Sequence, residues 1–246
     1  MGNYDPEAYY RSEWEGFSTQ PERQRVSLAA VAGRQVSNVL DVGCGAGQEL
    51  LPFVTELGAT GVGVDISPEA VRIASRRFAK LGYTKQVEFR CCPAESLPFE
   101  PNSFDVVMCR LALPYTLNQA ALSEMARVLR PGGLLILKIH HLHYYLRRFR
   151  RGLAKGQAVN CLLAVRVLLA GTLYLMTGRQ PDNRILGREV FQTRWMLRRV
   201  LPSVGLAIVK EFQAPFSNPW TPLFLIEKQG NHRDEGEANR PRFPPR

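Results

Sequence analysis

The chain of 246 residues is 45% hydrophobic and 22% charged, enough apolar material for one large α/β domain or two small ones and too much for a disordered chain. With 20 Gly and 17 Pro it is also neither collagen-like nor of low complexity. The net charge of +10 is unevenly placed: His140 to Lys210 holds thirteen Lys or Arg against two acids, Asp182 and Glu189. A basic segment set in a near-neutral body points to a polyanion, an anionic membrane face or an acidic substrate.

The start of the chain has acids and tyrosines where a signal peptide needs a basic flank and an apolar run, so no leader is expected. Pro6 stands where a myristoylation site needs Ser or Thr. The five cysteines (Cys44, Cys91, Cys92, Cys109, Cys161) include no CxxC pair, which argues against a disulfide scaffold or a zinc site and for a reducing compartment.

From Ser37 to Lys138 short β-rich runs alternate with helical patterns, the signature of a parallel sheet covered by helices. Strands are predicted at Asn38 to Val42, Gly61 to Asp65, Val87 to Cys91, Phe104 to Cys109 and Leu134 to Ile139, with helices at Gly47 to Leu57, Pro68 to Leu81 and Asn118 to Leu129. Ser67 is the expected N-cap of the second of these helices, with Pro68 in its first turn. Arg130-Pro131-Gly132-Gly133 is expected to end a helix and turn into the fifth strand. After His140 the rhythm breaks into an Arg-rich amphipathic stretch and the apolar run Ala158 to Met176, and it resumes with a helix from Glu189 and strands at Ala207 to Phe212 and Leu223 to Lys228. The intervening stretch, about residues 141–188, reads as an inserted helical segment. Trp195, Met196 and Leu197 read as core, and the polar, proline-dotted residues 230–246 as a disordered tail.

The chemistry starts at Val39-Leu40-Asp41-Val42-Gly43-Cys44-Gly45-Ala46-Gly47, which places an acid at the end of the first strand and three alternate glycines before a helix. Glycines there let the backbone turn sharply and let a ligand approach the main chain. The second strand ends at Asp65, eighteen residues after Gly47, where a carboxylate can accept hydrogen bonds from both hydroxyls of a ribose. A nicotinamide-binding loop would read G-x-G-x-x-G and face a pyrophosphate. An acid beside the turn repels a pyrophosphate and attracts an α-amino group, so D-x-G-x-G-x-G favours S-adenosylmethionine over NAD.

Three further runs complete the pattern: Ala94-Glu95-Ser96-Leu97-Pro98-Phe99, Ser103-Phe104-Asp105-Val106-Val107 and Ala126 through Gly133. On these residues the chain resembles the class I S-adenosylmethionine-dependent methyltransferases, in the small-molecule branch similar to ubiquinone/menaquinone-biosynthesis enzymes. The resemblance covers Asp41 to Ile139 and extends to the last two strands. It implies a Rossmann-like, doubly wound α/β fold with a seven-stranded sheet, mostly parallel with an antiparallel last strand. It also implies that Asp41, Gly43, Gly45 and Gly47 surround the methionine moiety, that Asp65 holds the ribose and Ile66 packs on the adenine. Ala94 and Glu95 would sit at the adenine edge, and Arg110 and Leu111 would face the cofactor. Residues 1–36 would fold over the cofactor site of a methyltransferase domain spanning 37–229, with Tyr4, Tyr9, Tyr10 and Trp14 either closing that site against water or serving as a surface anchor.

The acceptor is less legible. Cys109-Arg110-Leu111-Ala112 lacks the Asn/Asp-Pro-Pro-aromatic run of enzymes that methylate nucleobases or glutamine, and Pro114-Tyr115 replaces the histidine the family often shows there. His140, His141 and His143 follow the fifth strand, where a neutral imidazole could take a hydroxyl proton. No carboxylate lies among them, so no metal is expected. Ala158 to Met176 is about as long as a bilayer span, but Arg166 at its centre makes a lid or an interfacial helix beside Arg147, Arg148, Arg150, Arg151 and Lys155 the better reading. The expectation is methyl transfer to a small or lipophilic acceptor, at a hydroxyl, in the cytoplasm or peripherally at the inner face of a membrane, with no nucleic-acid partner. An RNA or protein methyltransferase docking through the basic segment, or a cofactor-binding protein without turnover, are the rivals.

Overall fold

The computed structural model describes residues 5–213 and 217–230; Tyr4 and all but the first residue of the expected tail lie outside them. Elements follow as α1 (Pro6–Ser18), α2 (Pro21–Ala30), β1 (Asn38–Val42), α3 (Leu51–Leu57), β2 (Thr60–Asp65), α4 (Pro68–Leu81), β3 (Val87–Cys91), β4 (Phe104–Arg110), α5 (Asn118–Val128) and β5 (Leu129–Lys138). Next come α6 (Leu142–Ala154), α7 (Ala158–Thr177), α8 (Arg194–Val200), β6 (Leu206–Glu211) and β7 (Leu223–Lys228). The sheet has seven strands in the order β3-β2-β1-β4-β5-β7-β6. The first five are parallel, and β7 runs antiparallel to both β5 and β6.

Central position explains composition. In β1, four of five residues are buried, as a strand covered on both faces requires. Asp105 fixes where β1 starts against β4, because its carboxylate accepts the N–H of Ser37 and of Asn38, each at 2.9 Å. One core layer packs Leu40, Val107, Leu135 and Leu137 against Leu122, Met125 and Leu197; the other packs Val39, Met108 and Ile136 against Leu50, Phe53 and Phe78.

α4 follows the sequence closely. Ser67 Oγ accepts the Ala70 N–H at 3.2 Å, Pro68 occupies the first turn, and Gly82 (φ 83°) closes the helix in the left-handed region. Ala70, Ile73, Ala74 and Phe78 form its buried face. Ser67→Ala is expected to cost about 1 kcal/mol, a fall of about 2–4 °C in Tm on calorimetry.

Four expectations need correction. The first helix after the glycine loop starts at Leu51, behind a 3-10 turn at Gln48–Leu50, because Pro52 is tolerated only in a first helical turn. Arg130-Pro131-Gly132-Gly133 belongs to β5: pairing with β4 jumps from Phe104↔Leu129 to Val106↔Leu134, so the four residues bulge inside the strand. Glu189 starts no helix. The N–H groups of Val190 and Gln192 donate to the carbonyls of Pro114 and His140, so tertiary pairing holds this segment extended until Thr193 caps α8. Trp195 is 56% exposed, beneath the Arg199 guanidinium, while Met196 and Leu197 are core.

α6 and α7 form a helical hairpin at the expected insertion. Tyr145 of α6 and Val167, Ala170 and Tyr174 of α7 pack with Val190, Phe191 and Met196 into a third apolar cluster. Gly171 makes this approach possible, since a Cβ there would enter the Phe191 ring.

Candidate active site

The carboxyl ends of β1, β2, β4 and β5 open on a cavity of about 820 Å³. Asp41, near the end of β1, is 1% exposed, and its Oδ2 has no hydrogen-bond partner. Burial, and then the neighbouring Glu49, push its carboxyl well above the usual carboxylate range, with Arg110 opposing. The turn that follows must be glycine: Gly43 has φ 74°, and a Cβ would collide with that of Ala112. Asp65, at the end of β2, clamps two neighbouring segments. Its Oδ2 accepts the Gly45 N–H and its Oδ1 the Ser67 N–H, both at 2.9 Å.

Of the residues singled out in the sequence, Asp41, Gly43, Gly45, Asp65, Ile66, Ala94, Glu95, Arg110, Leu111 and His140 line this cavity together. Ile66 offers a side chain 70% exposed, an apolar platform at the rim. Glu95 has a second task, since its carboxylate accepts the Leu117 N–H at 2.8 Å. Gly47 is the departure in the loop. It is not among the lining residues, and its φ of 80° and a Phe89 ring 2.7 Å from where a Cβ would stand show a residue selected for packing behind the loop.

The three histidines separate. His140 is buried among aromatic rings, stacked on Tyr144 at 4.1 Å and edge-on to Tyr115 and Tyr145, with no partner for Nδ1. Burial, then Arg148 and Lys138, lower its pKa to about 4, so the ring is neutral at pH 7. His141 and His143 pair with each other instead, Nδ1 to Nδ1 at 2.9 Å, and neither lines the cavity. The reason is that α6 begins at Leu142, so the backbone turns immediately after His140.

Residues with no obvious sequence signal complete the site. Glu49, its side chain 5% exposed, pairs with Arg110 at 2.6 Å and with Arg23 of α2 at 2.9 Å. Glu49 lies two residues past the glycine loop and could have been suspected; Arg23 arrives from a helix far upstream and could not. Lys138, at the end of β5, also faces the cavity, with its pKa lowered to about 8 by burial and then by Arg110 and Arg23. The cavity therefore loses one positive charge as pH rises through about 8. Affinity for a carboxylate-bearing ligand is expected to fall across that range, and Lys138→Met to remove the step, as read by titration calorimetry at several pH values.

The arrangement fits an amino-acid-bearing nucleoside. Asp41 Oδ2 is an acceptor without a donor, as an ammonium group requires, and Arg110, Arg23 and Lys138 supply positive charge for a carboxylate. Asp65 and Ile66 stand beside each other for a ribose and a base.

Comparison with known proteins agrees with this geometry. A methyltransferase domain family matches residues 40–137. Over 99 residues the chain is 34% identical to the sterol 4-C-methyltransferase strm-1 of Caenorhabditis elegans, covering 40% of this chain and 29% of that one. Over 117 residues it is 37% identical to the ubiquinone/menaquinone biosynthesis C-methyltransferase UbiE of Hahella chejuensis, covering 46% and 47%. The chain thus spans less than half the length of these curated relatives. Among solved structures, a SAM-dependent methyltransferase from Methanosarcina mazei superposes with a TM-score of 0.57 at 22% identity, over 83% of this chain and 97% of that one, which is a likeness of fold. Sequence match and fold agree: residues 40–137 match a methyltransferase domain, set on a sheet that shares its fold with S-adenosylmethionine-dependent methyltransferases.

Proposed function

We propose that this protein transfers the methyl group of S-adenosylmethionine to a hydroxyl of a small, lipophilic acceptor. The observation that carries the reading is His140: a neutral imidazole among tyrosine rings, lining the same cavity as Asp41 and Asp65. When bound, the cofactor supplies an electrophilic methyl on a sulfonium, and displacement in line needs little from the protein beyond alignment. Asp41 is suited to hold the amino group, Asp65 the ribose and Ile66 the base. Tyr115 and Tyr144 give the acceptor an apolar wall, and burial keeps the Tyr115 phenol protonated well above neutral pH. His140, which lines the cavity, is the group we assign to receive the proton an acceptor hydroxyl releases.

The domain reading is part of the proposal. Tyr9, Tyr10 and Glu13 of α1 and Arg23 of α2 line the cavity, which supports a role for the N-terminal helices in covering it against water. A carbon acceptor is the second reading, favoured by the C-methyltransferase names of the two relatives. The two separate in one experiment. With isotope-labelled methyl donor and a panel of lipophilic phenols, the product's methyl resonance is expected in the methoxy region; a resonance in the C-methyl region would decide for carbon, and no transfer to any member would overturn the small-acceptor reading.

A further inference from the structure

α7 is long and apolar enough to cross a bilayer by length and composition, yet only 28% of its apolar window is buried, so it is not an ordinary core helix. It does not stand free either. Ala164, Val167, Ala170, Gly171 and Tyr174 form one buried face against the body of the protein. The opposite face repeats at helical spacing as Val159, Leu162, Val165, Leu169, Leu173 and Met176, which are 37–77% exposed. Arg166, at the margin of that face, is paired with Glu189 at 3.5 Å. A helix covered by protein along one side and apolar along the other suits an interface rather than a span.

The preceding helix carries the complementary charge. Arg147, Arg148, Arg151 and Lys155 surround a hollow of about 480 Å³ that has Trp220 in its wall and no Asp or Glu in its lining. The Arg147 guanidinium is held 4.0 Å over the Trp220 ring. Among the described residues, none of these four cations, nor Arg150 beside them, has an acidic partner at ion-pair distance. Tyr144 and Thr221 line both this hollow and the larger cavity, so the cationic site adjoins the candidate active site.

We propose that the α6–α7 hairpin docks on an anionic phospholipid bilayer. The exposed stripe of α7 lies in the acyl boundary, and the α6 hollow receives a headgroup phosphate, for which several guanidinium groups without acidic partners among the described residues are the matching chemistry. On the lipophilic-acceptor reading, this placement lets the acceptor reach the cavity from the lipid phase; the docking itself does not depend on that reading.

The test is co-sedimentation of the full chain with vesicles of phosphatidylcholine alone and of phosphatidylcholine mixed with phosphatidylglycerol. The expected result is binding to the mixed vesicles only, with release as salt rises, because attraction is screened beyond about 8 Å at physiological ionic strength and about 3 Å at 1 M. Each phosphate-facing cation is expected to contribute roughly fivefold, so the double variant Arg147→Glu/Arg151→Glu should bind at least tenfold more weakly. Leu162→Asp/Leu169→Asp should do the same through the stripe. Both double variants are expected to keep their Tm and their S-adenosylmethionine affinity, which is read separately by calorimetry; loss of cofactor binding in the parent chain would instead count against the methyl-transfer reading. Equal binding to both vesicle types, unchanged binding in either double variant, or a dimer that the leucine pair dissolves would overturn the proposal, the last by showing that a second copy covers the stripe.

Discussion

Replacing His140 with Gln is expected to lower turnover by about 10² to 10⁴-fold, the range for loss of a positioned general base, while leaving cofactor affinity unchanged. Glutamine keeps comparable bulk beside Tyr144 but has no basic nitrogen. His141→Gln and His143→Gln should leave turnover near the parent value, because those rings face each other and not the cavity. The pH profile gives an independent check. With the His140 pKa lowered to about 4, the acid limb of kcat/KM should fall near pH 4 rather than near 6.5. Stability follows the same sign. The unfolded chain takes up this proton at a higher pH than the folded one, so stability is held above about pH 6.5 and declines as pH falls toward about 4. The Gln variant should lack that contribution. Full turnover in His140→Gln, with its fold intact by circular dichroism, would leave alignment alone as the chemistry.

Asp65→Ala is expected to weaken S-adenosylmethionine binding at least tenfold in calorimetry. A hydrogen bond to a charged group is worth about 1.5–3 kcal/mol, and here two effects act together. On the proposed reading the ribose loses its acceptor, and the Gly45 and Ser67 N–H groups lose the carboxylate that holds the glycine loop against the start of α4. Asp65→Asn separates them, because its amide oxygen can retain one backbone contact without the charge; its affinity should fall between parent and Ala. Unchanged affinity in Asp65→Ala would mean that the cofactor does not sit at the β2 edge.

How much of this was legible beforehand depends on the range of the interaction. Ser67, Pro68 and Gly82 delimit α4 within a few residues of sequence, so its span could be read directly. The same holds for the alternation of β1 to β5 and for the turn at Gly43, where only a residue without a side chain fits. Asp41 and Asp65 were recoverable because each lies at the end of its strand, next to that turn. Gly47 shares the glycine spacing but serves Phe89, a contact from a strand forty residues away that spacing alone does not reveal.

The sequence by itself determined the doubly wound sheet, the glycine loop and the two carboxylates, since backbone conformation and strand burial are set by short runs of residues. Only the tertiary structure decided which histidine enters the cavity, because that depends on where α6 turns away from β5. It also decided that Glu49 gathers Arg23 and Arg110, and that α7 buries one apolar face and leaves the other exposed. A helix with apolar residues nearly all round has no pattern of its own to say which side is covered; that choice belongs to Phe191, Tyr145 and Gly171, which meet only once the chain has folded.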